Sequence, residues 1–187
     1  MSAKIDVRIL KTKERLKNAL LTSLKEKKLE DITISEICLK ASVNRNTFYS
    51  HYESVQDLLD EVEAHFLEVV LSKINIDANV TKSVEELLVQ ILSSLVENKE
   101  MCQLLFTENG DKNFMKKILM FALPSAVKNW CDELGMQEDK ATKLYYFIIG
   151  GAINVIEEWV HENFKDTPED LAKDLNELIM KGQSAFL

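Results

Sequence analysis

The stretch Ile32–Tyr52, ITISEICLKASVNRNTFYSHY, decides the fold. It holds two short helical patterns with a tight break between them. Thr33 is a good first N-cap, because its hydroxyl can accept from a backbone N–H that an opening helical turn leaves unpaired. Glu36 stands three residues on, the spacing of a capping box. Ile34, Ile37, Cys38 and Ala41 then recur at helical spacing. Ser42-Val43 is the break, Asn44 is a second N-cap, and a second helix is expected from Arg45 to about Tyr52. On a helical wheel Phe48 and Tyr52 share one face, Asn46 and Ser50 point the opposite way, and Thr47 and Tyr49 lie on the flanks. An apolar back, a small polar front and hydroxyls on the flanks suit a major groove, where the front reaches base edges and the flanks reach phosphates. Arg45 and the helix N-terminus add positive potential on that side. The two caps, the spacing and the wheel agree on a helix-turn-helix.

Ile32-Thr33-Ile34 through Ile37, followed by Ala41-Ser42-Val43-Asn44-Arg45-Asn46-Thr47-Phe48-Tyr49-Ser50-His51-Tyr52, resembles the DNA-binding signature of the tetracycline-repressor (TetR/AcrR) family of bacterial regulators. The Thr-Phe-Tyr-x-His-Tyr ending is its most specific part, and the resemblance covers roughly residues 9 to 60. It implies an all-α protein. Residues 1–53 would be a three-helix DNA-binding domain with its motif at about 33–52, residues 54–74 a connecting helix, and residues 75–187 a helical domain for ligand binding and dimerisation. It also implies that Thr33, Arg45, Asn46, Thr47, Tyr49, Ser50, His51 and Lys11 meet DNA. The last two helices would pair with their symmetry mates, with Gly150, Gly151, Trp159, Leu171 and Leu175 at the dimer interface. Three positions depart from the family pattern. Lys28 and Ser42 stand where glycine is usual, and Val55 replaces a lysine that commonly touches phosphate. Ser42 follows a helix end and is expected to adopt a positive φ in a slightly altered turn.

The 187 residues are 46% hydrophobic, so a sizeable core is available and disorder is excluded. Two prolines and five glycines leave helix formers dominant. No apolar run reaches membrane-spanning length, the N-terminus lacks the apolar core of a signal peptide, and a cytoplasmic protein is expected. Cys38, Cys102 and Cys131 read as reduced small hydrophobes. The net charge of -8 is unevenly spread: residues 1–53 carry 11 Lys+Arg against 7 Asp+Glu, and the remainder 12 against 24. That polarity suits a basic DNA-reading end on an acidic body.

In chain order, a first helix is expected from about Val7 to Lys27, with Ile9, Leu16, Ala19, Leu20 and Leu24 as its buried stripe and a basic cluster from Lys4 to Lys17 at its start. Ser54 and Asp57 form another capping pattern before a helix to about Ile74. After a polar break at 75–82, helices are expected from Ser83 to about Glu97 and from Lys99 to about Thr107. Asn109-Gly110-Asp111 reads as a turn. A helix from Asn113 to about Leu134 would be kinked or split by Pro124 and stopped by Gly135. Gln137–His161 and Pro168–Phe186 complete the chain, and Gly150-Gly151 in mid-helix points to close approach by another helix.

No phosphate-cradling loop, nucleophile elbow or metal-ligand spacing is found, so neither an enzyme nor a cofactor is expected. Taken together, Phe66, Phe106, Phe121, Trp130, Tyr145 and Phe147 could line a ligand cavity between helices. The reading is a homodimeric, sequence-specific regulator on a pseudo-palindromic double-stranded operator, most simply a repressor released by a small-molecule effector. The alternative is a coregulator that acts through a protein partner with little or no DNA affinity.

Overall fold

A computed structural model describes residues 7–73, 83–106, 114–120 and 123–185. Among the described residues there are ten α-helices and no strand. They are α1 (Val7–Leu24), α2 (Ile34–Ala41), α3 (Arg45–Tyr49), α4 (Val55–Lys73), α5 (Val84–Glu97), α6 (Lys99–Leu105), α7 (Phe114–Met120), α8 (Leu123–Leu134), α9 (Glu138–His161) and α10 (Pro168–Ser184). The expected break at 75–82, the Asn109–Asp111 turn and Phe121 lie outside the described residues.

The first three helices close around the stripe of α1. Leu16 and Leu20 share one core with Ile37 of α2, Phe48 of α3 and Leu58 and Leu59 of α4, all fully buried. Ile9, expected in that stripe, is 42% exposed. It sits in the first turn of α1, before the buried stripe begins at Leu16. Two caps shape the motif. The Thr33 hydroxyl accepts from the Glu36 N–H at 3.3 Å, and the Asn44 side chain accepts from the Thr47 N–H at 2.7 Å. The first capping box is only half made. The Glu36 carboxylate turns to Lys27 (2.6 Å) and Lys40 (3.6 Å) and leaves the Thr33 N–H alone. The Lys27 hydrogen bond holds the Glu36 carboxyl below the usual range against the effect of burial, with Lys40 helping. The turn is built on Ser42 at φ 51°, ψ 49°, the left-handed conformation expected there. Its carbonyl accepts from Arg15 Nη2 of α1 at 2.8 Å, so the strained residue is braced from outside the motif.

Helix α4 opens on the Ser54 hydroxyl, which accepts from the Asp57 N–H, while Asp57 accepts from the Glu53 N–H. Both Lys13 and Lys17 of α1 reach one carboxylate on α4, Glu61, at 2.7 and 2.8 Å. Burial alone would push the Glu61 carboxyl up. The two ammonium groups and the neighbouring Tyr52 hydroxyl overcome it and hold the carboxyl at about 2. The phenol lies beside the carboxylate without forming a well-shaped hydrogen bond. Lys13 also lies over the Tyr52 ring, 5.3 Å from its centre. One side chain of α4 is thereby tied to α1 and to the residue that ends the helix-turn-helix.

In the rest of the chain α10 packs chiefly on α5, and α9 runs between α8, α7 and α6. Ser83 and Glu86 make a complete capping box at α5. The expected long helix is two helices. Pro124 is the second residue of α8, where a missing N–H leaves no bond unmade. Gly135 ends α8 at φ 64°. Tyr145 donates from its hydroxyl to the Leu119 carbonyl at 2.6 Å and pins α9 to α7. Burial pushes the Cys102 thiol up to about 12, which keeps it inert among its neighbours.

Two stability predictions follow from these contacts. Ser42→Gly removes the steric cost of a left-handed L-residue and leaves the Arg15 bond to the carbonyl intact, so it should stabilise the chain by roughly 0.5–1 kcal/mol, seen as a higher Tm. Glu61→Gln should remove roughly 1 kcal/mol at neutral pH, a figure reduced for partial solvent screening. Because the folded Glu61 titrates near 2 and a free carboxyl near 4.5, this contribution is complete above about pH 4.5 and disappears as the pH falls toward 2. Urea melts at pH 7, 4 and 3 should show the two proteins converging in acid.

Candidate nucleic-acid interface

Helix α3 is five residues long and turns its sequence outward in the way the wheel requires. Phe48 is 0% exposed, and its ring sits 5.8 Å from those of Tyr49 (edge-on) and Tyr52. With Phe48 and Tyr52 held in the core, Arg45, Asn46, Tyr49 and Ser50 are all exposed on the other side. Tyr49 is the most prominent aromatic there, at 57%. The Ser50 hydroxyl donates back to the Thr47 carbonyl at 2.7 Å, which leaves its oxygen free to accept. Thr47 and His51 are half-buried on the flanks, and Thr33 and Lys11 are exposed at the starts of α2 and α1. The helix was expected to continue to Tyr52, but regular geometry ends at Tyr49. The Tyr52 N–H still bonds to the Phe48 carbonyl at 2.9 Å, so the phenol keeps its place on the buried face.

Ser35 and Glu61 were not singled out from the sequence, and Arg15 was read only as part of the basic cluster of the first helix. The Ser35 hydroxyl on α2 receives a hydrogen bond from the Arg45 guanidinium, which orients a side chain that otherwise projects into water. Arg15 supports the turn, and Glu61 engages Lys13 and Lys17. The basic cluster of α1 is therefore partly committed within the chain. Such long-range pairings have no signature in spacing, and only the unusual Ser42 hinted that a brace was needed.

Of the residues expected to line a cavity, Phe66, Phe106, Trp130 and Tyr145 are buried in one core, and Phe66 also lines a cleft beside α1. Phe66 and Phe106 both pack on Phe114, with ring centres 5.7 and 5.8 Å apart, and Trp130 lies 6.0 Å from Tyr145. Phe147 departs from the expectation outright: it is 81% exposed, off the buried stripe of α9. The expected interface residues divide as well. Gly150 and Gly151 are exposed on α9, and a Cβ on either would meet open space, so among the described residues no other helix approaches them. Trp159, Leu171 and Leu175 face inward. Trp159 stacks edge-on to Phe164 at 4.8 Å and donates to the Asp166 carbonyl, closing the α9–α10 corner. Leu171 and Leu175 belong to the buried stripe of α10 and are not on an outer face.

Comparison with known proteins places this geometry. Residues 82–181 match the TetR_C_8 family, described as a transcriptional regulator C-terminal region. A TetR transcriptional regulator from Streptococcus agalactiae 2603V is similar in structure, with a TM-score of 0.72 and 28% identity over 93% of this chain and 96% of that one. A transcriptional regulator from Aquifex aeolicus VF5 shares the fold, with a TM-score of 0.58 and 22% identity over 90% of this chain and 98% of that one. The uncharacterized HTH-type transcriptional regulator YxbF of Bacillus subtilis (strain 168) is 33% identical over 96 residues, 49% of this chain. The match spans only 25% of that relative's length. With the helix-turn-helix at its N-terminal end and the family match over more than half its length, the chain belongs to the TetR family of DNA-binding helix-turn-helix transcriptional regulators.

Proposed function

We propose that the protein acts as a homodimer on a pseudo-palindromic operator, most simply as a repressor released by a small molecule. The observation that carries this reading is the two-sided α3, with Phe48 fully buried and Arg45, Asn46, Tyr49 and Ser50 presented together to solvent. In this reading residues 1–53 read DNA, 54–74 connect, and 75–187 dimerise and receive the effector. Asn46 offers the paired donor and acceptor that suit adenine, and Ser50, its proton already engaged by Thr47, offers an acceptor to a base amino group. Arg45 reaches a guanine or a phosphate once it leaves Ser35. Thr33, Thr47, Tyr49, His51 and Lys11 hold phosphates, and the Tyr49 ring also suits a thymine methyl.

The dimer reading rests on an uncovered apolar face. Tyr146, Phe147 and Val155 are exposed on α9 beside the bare Gly150 and Gly151, and Leu178 and Met180 are exposed on α10. Exposed apolar residues grouped on paired helices mark an interaction surface, and two flat glycines permit close helix approach. Two-fold symmetry then sets two α3 helices on one face of the DNA, one or more helical turns apart.

Affinity selection of sheared genomic DNA at near-physiological salt tests the reading, since phosphate contacts alone retain everything at low ionic strength. Enrichment of a few fragments sharing an inverted repeat is the expected result, and a folded dimer that enriches none would overturn it. Arg45→Ala should weaken retention of those fragments by tenfold or more at unchanged Tm. Phe147→Glu should yield a folded monomer by sedimentation velocity, with operator retention lost alongside the dimer.

A further inference from the structure

A cleft of ≈ 490 Å³ opens where α1 meets α4 and the start of α6, a volume typical of small-molecule sites, which run roughly 300–1,000 Å³. It lies at the junction of the N-terminal helices with the rest of the chain, away from the Trp130–Tyr145 pair and from the outer face of α9. Its walls are mainly apolar. Leu10, Leu21, Val69 and Met101 line it, and Leu10 is 50% exposed although Leu16, Leu20 and Leu24 further along α1 are buried. Its charged edge is the Lys13–Glu61–Lys17 bridge. Two ammonium groups there share one carboxylate, so the three bridged groups carry one net positive charge, which Glu14 elsewhere on the rim balances for the lining as a whole. Glu14 and His65 complete the rim.

A ligand that fits must place an apolar body along Leu10, Leu21, Val69 and Met101 and one negative group at the two lysines. At the bridge a cation would face two ammonium groups, and a neutral chain would leave the lysines no better satisfied than before. We propose that the cleft binds an amphipathic carboxylate whose head group takes Lys13 and Lys17 from Glu61 while its tail covers the apolar wall. The Glu61 side chain is 34% exposed, so its released carboxylate can turn into water at little cost. The site deepens the effector reading above, because opening the bridge removes the ionic tie between α4 and α1 beside Tyr52 while their apolar packing remains. A ligand that binds the opened state better shifts the setting of the DNA-reading helices.

The test is calorimetric titration of the full chain, without DNA, with octanoate, octanol and butyrate. Octanoate should bind saturably, and octanol and butyrate at least tenfold more weakly. Leu10→Asp at its exposed position and the double change Lys13→Gln/Lys17→Gln should each weaken octanoate at least tenfold, with circular dichroism confirming that both fold. Glu61→Gln should tighten octanoate threefold or more, because the competing carboxylate is gone; a merely structural role for the bridge predicts no such gain. Absence of saturable binding, equal affinity for octanol, or weaker binding by Glu61→Gln would each overturn the site. Since no DNA is present, these outcomes are independent of whether the chain reads an operator. In a second arm, retention of the selected fragments should fall when octanoate is added; unchanged retention by a protein that binds octanoate would overturn the coupling.

Discussion

A helix of five residues has no stability of its own in water, because nucleation costs more than so few hydrogen bonds return. The orientation of α3 is therefore imposed on it, and the main agent is Phe48. Its ring is fully buried, in one core cluster with Leu16, Leu20, Ile37, Leu58 and Leu59 of three other helices. Asn44 caps the first turn, and Tyr52 anchors the chain just beyond the last. With the back fixed at two points one turn apart, the direction in which Arg45, Asn46 and Ser50 project is settled by packing. The polar front needs no internal structure of its own to be presented reproducibly.

That constraint explains why the N-terminal third was legible in the sequence. Caps, turn residues and a buried aromatic at fixed spacing are local signals, and each has a single mechanical meaning. Thr33, Asn44 and Ser54 cap as their positions imply, and Ser42 takes the positive φ that its place after a helix end demands. The misreadings within the same stretch came from competition that a linear pattern does not register. Glu36 had two lysines within reach and abandoned its own helix start, and Ile9 lay on the correct stripe but before the core begins.

The C-terminal helices were legible as helices and much less so as surfaces. An aromatic residue at helical spacing marks an apolar direction but not what fills it. Phe106 and Tyr145 turned inward and Phe147 outward from stretches of similar composition, because among the described residues helices pack on Tyr145 and leave Phe147 uncovered. Trp159 and Leu171 looked equally suited to an interface between chains. They proved to be occupied by the α9–α10 corner and by the buried face of α10. Side-chain type alone could not separate these cases, since the deciding quantity is which partner helix arrives.

The internal engagement of the α1 cations bears on how strongly ionic strength governs this protein. Every lysine or arginine that neutralises a phosphate releases condensed counterions, and each adds close to one unit to the dependence of log K on log salt. Lys13 and Lys17 are held by Glu61, and Arg15 is held by the Ser42 carbonyl. Glu61 offsets one of the two lysine charges, and the geometry of all three cations is set within the chain, so they enter that exchange less fully than free side chains would. The salt dependence of any DNA complex should thus be shallower than the count of basic residues in α1 implies, which leaves discrimination between sites resting more on base edges and DNA shape than on charge.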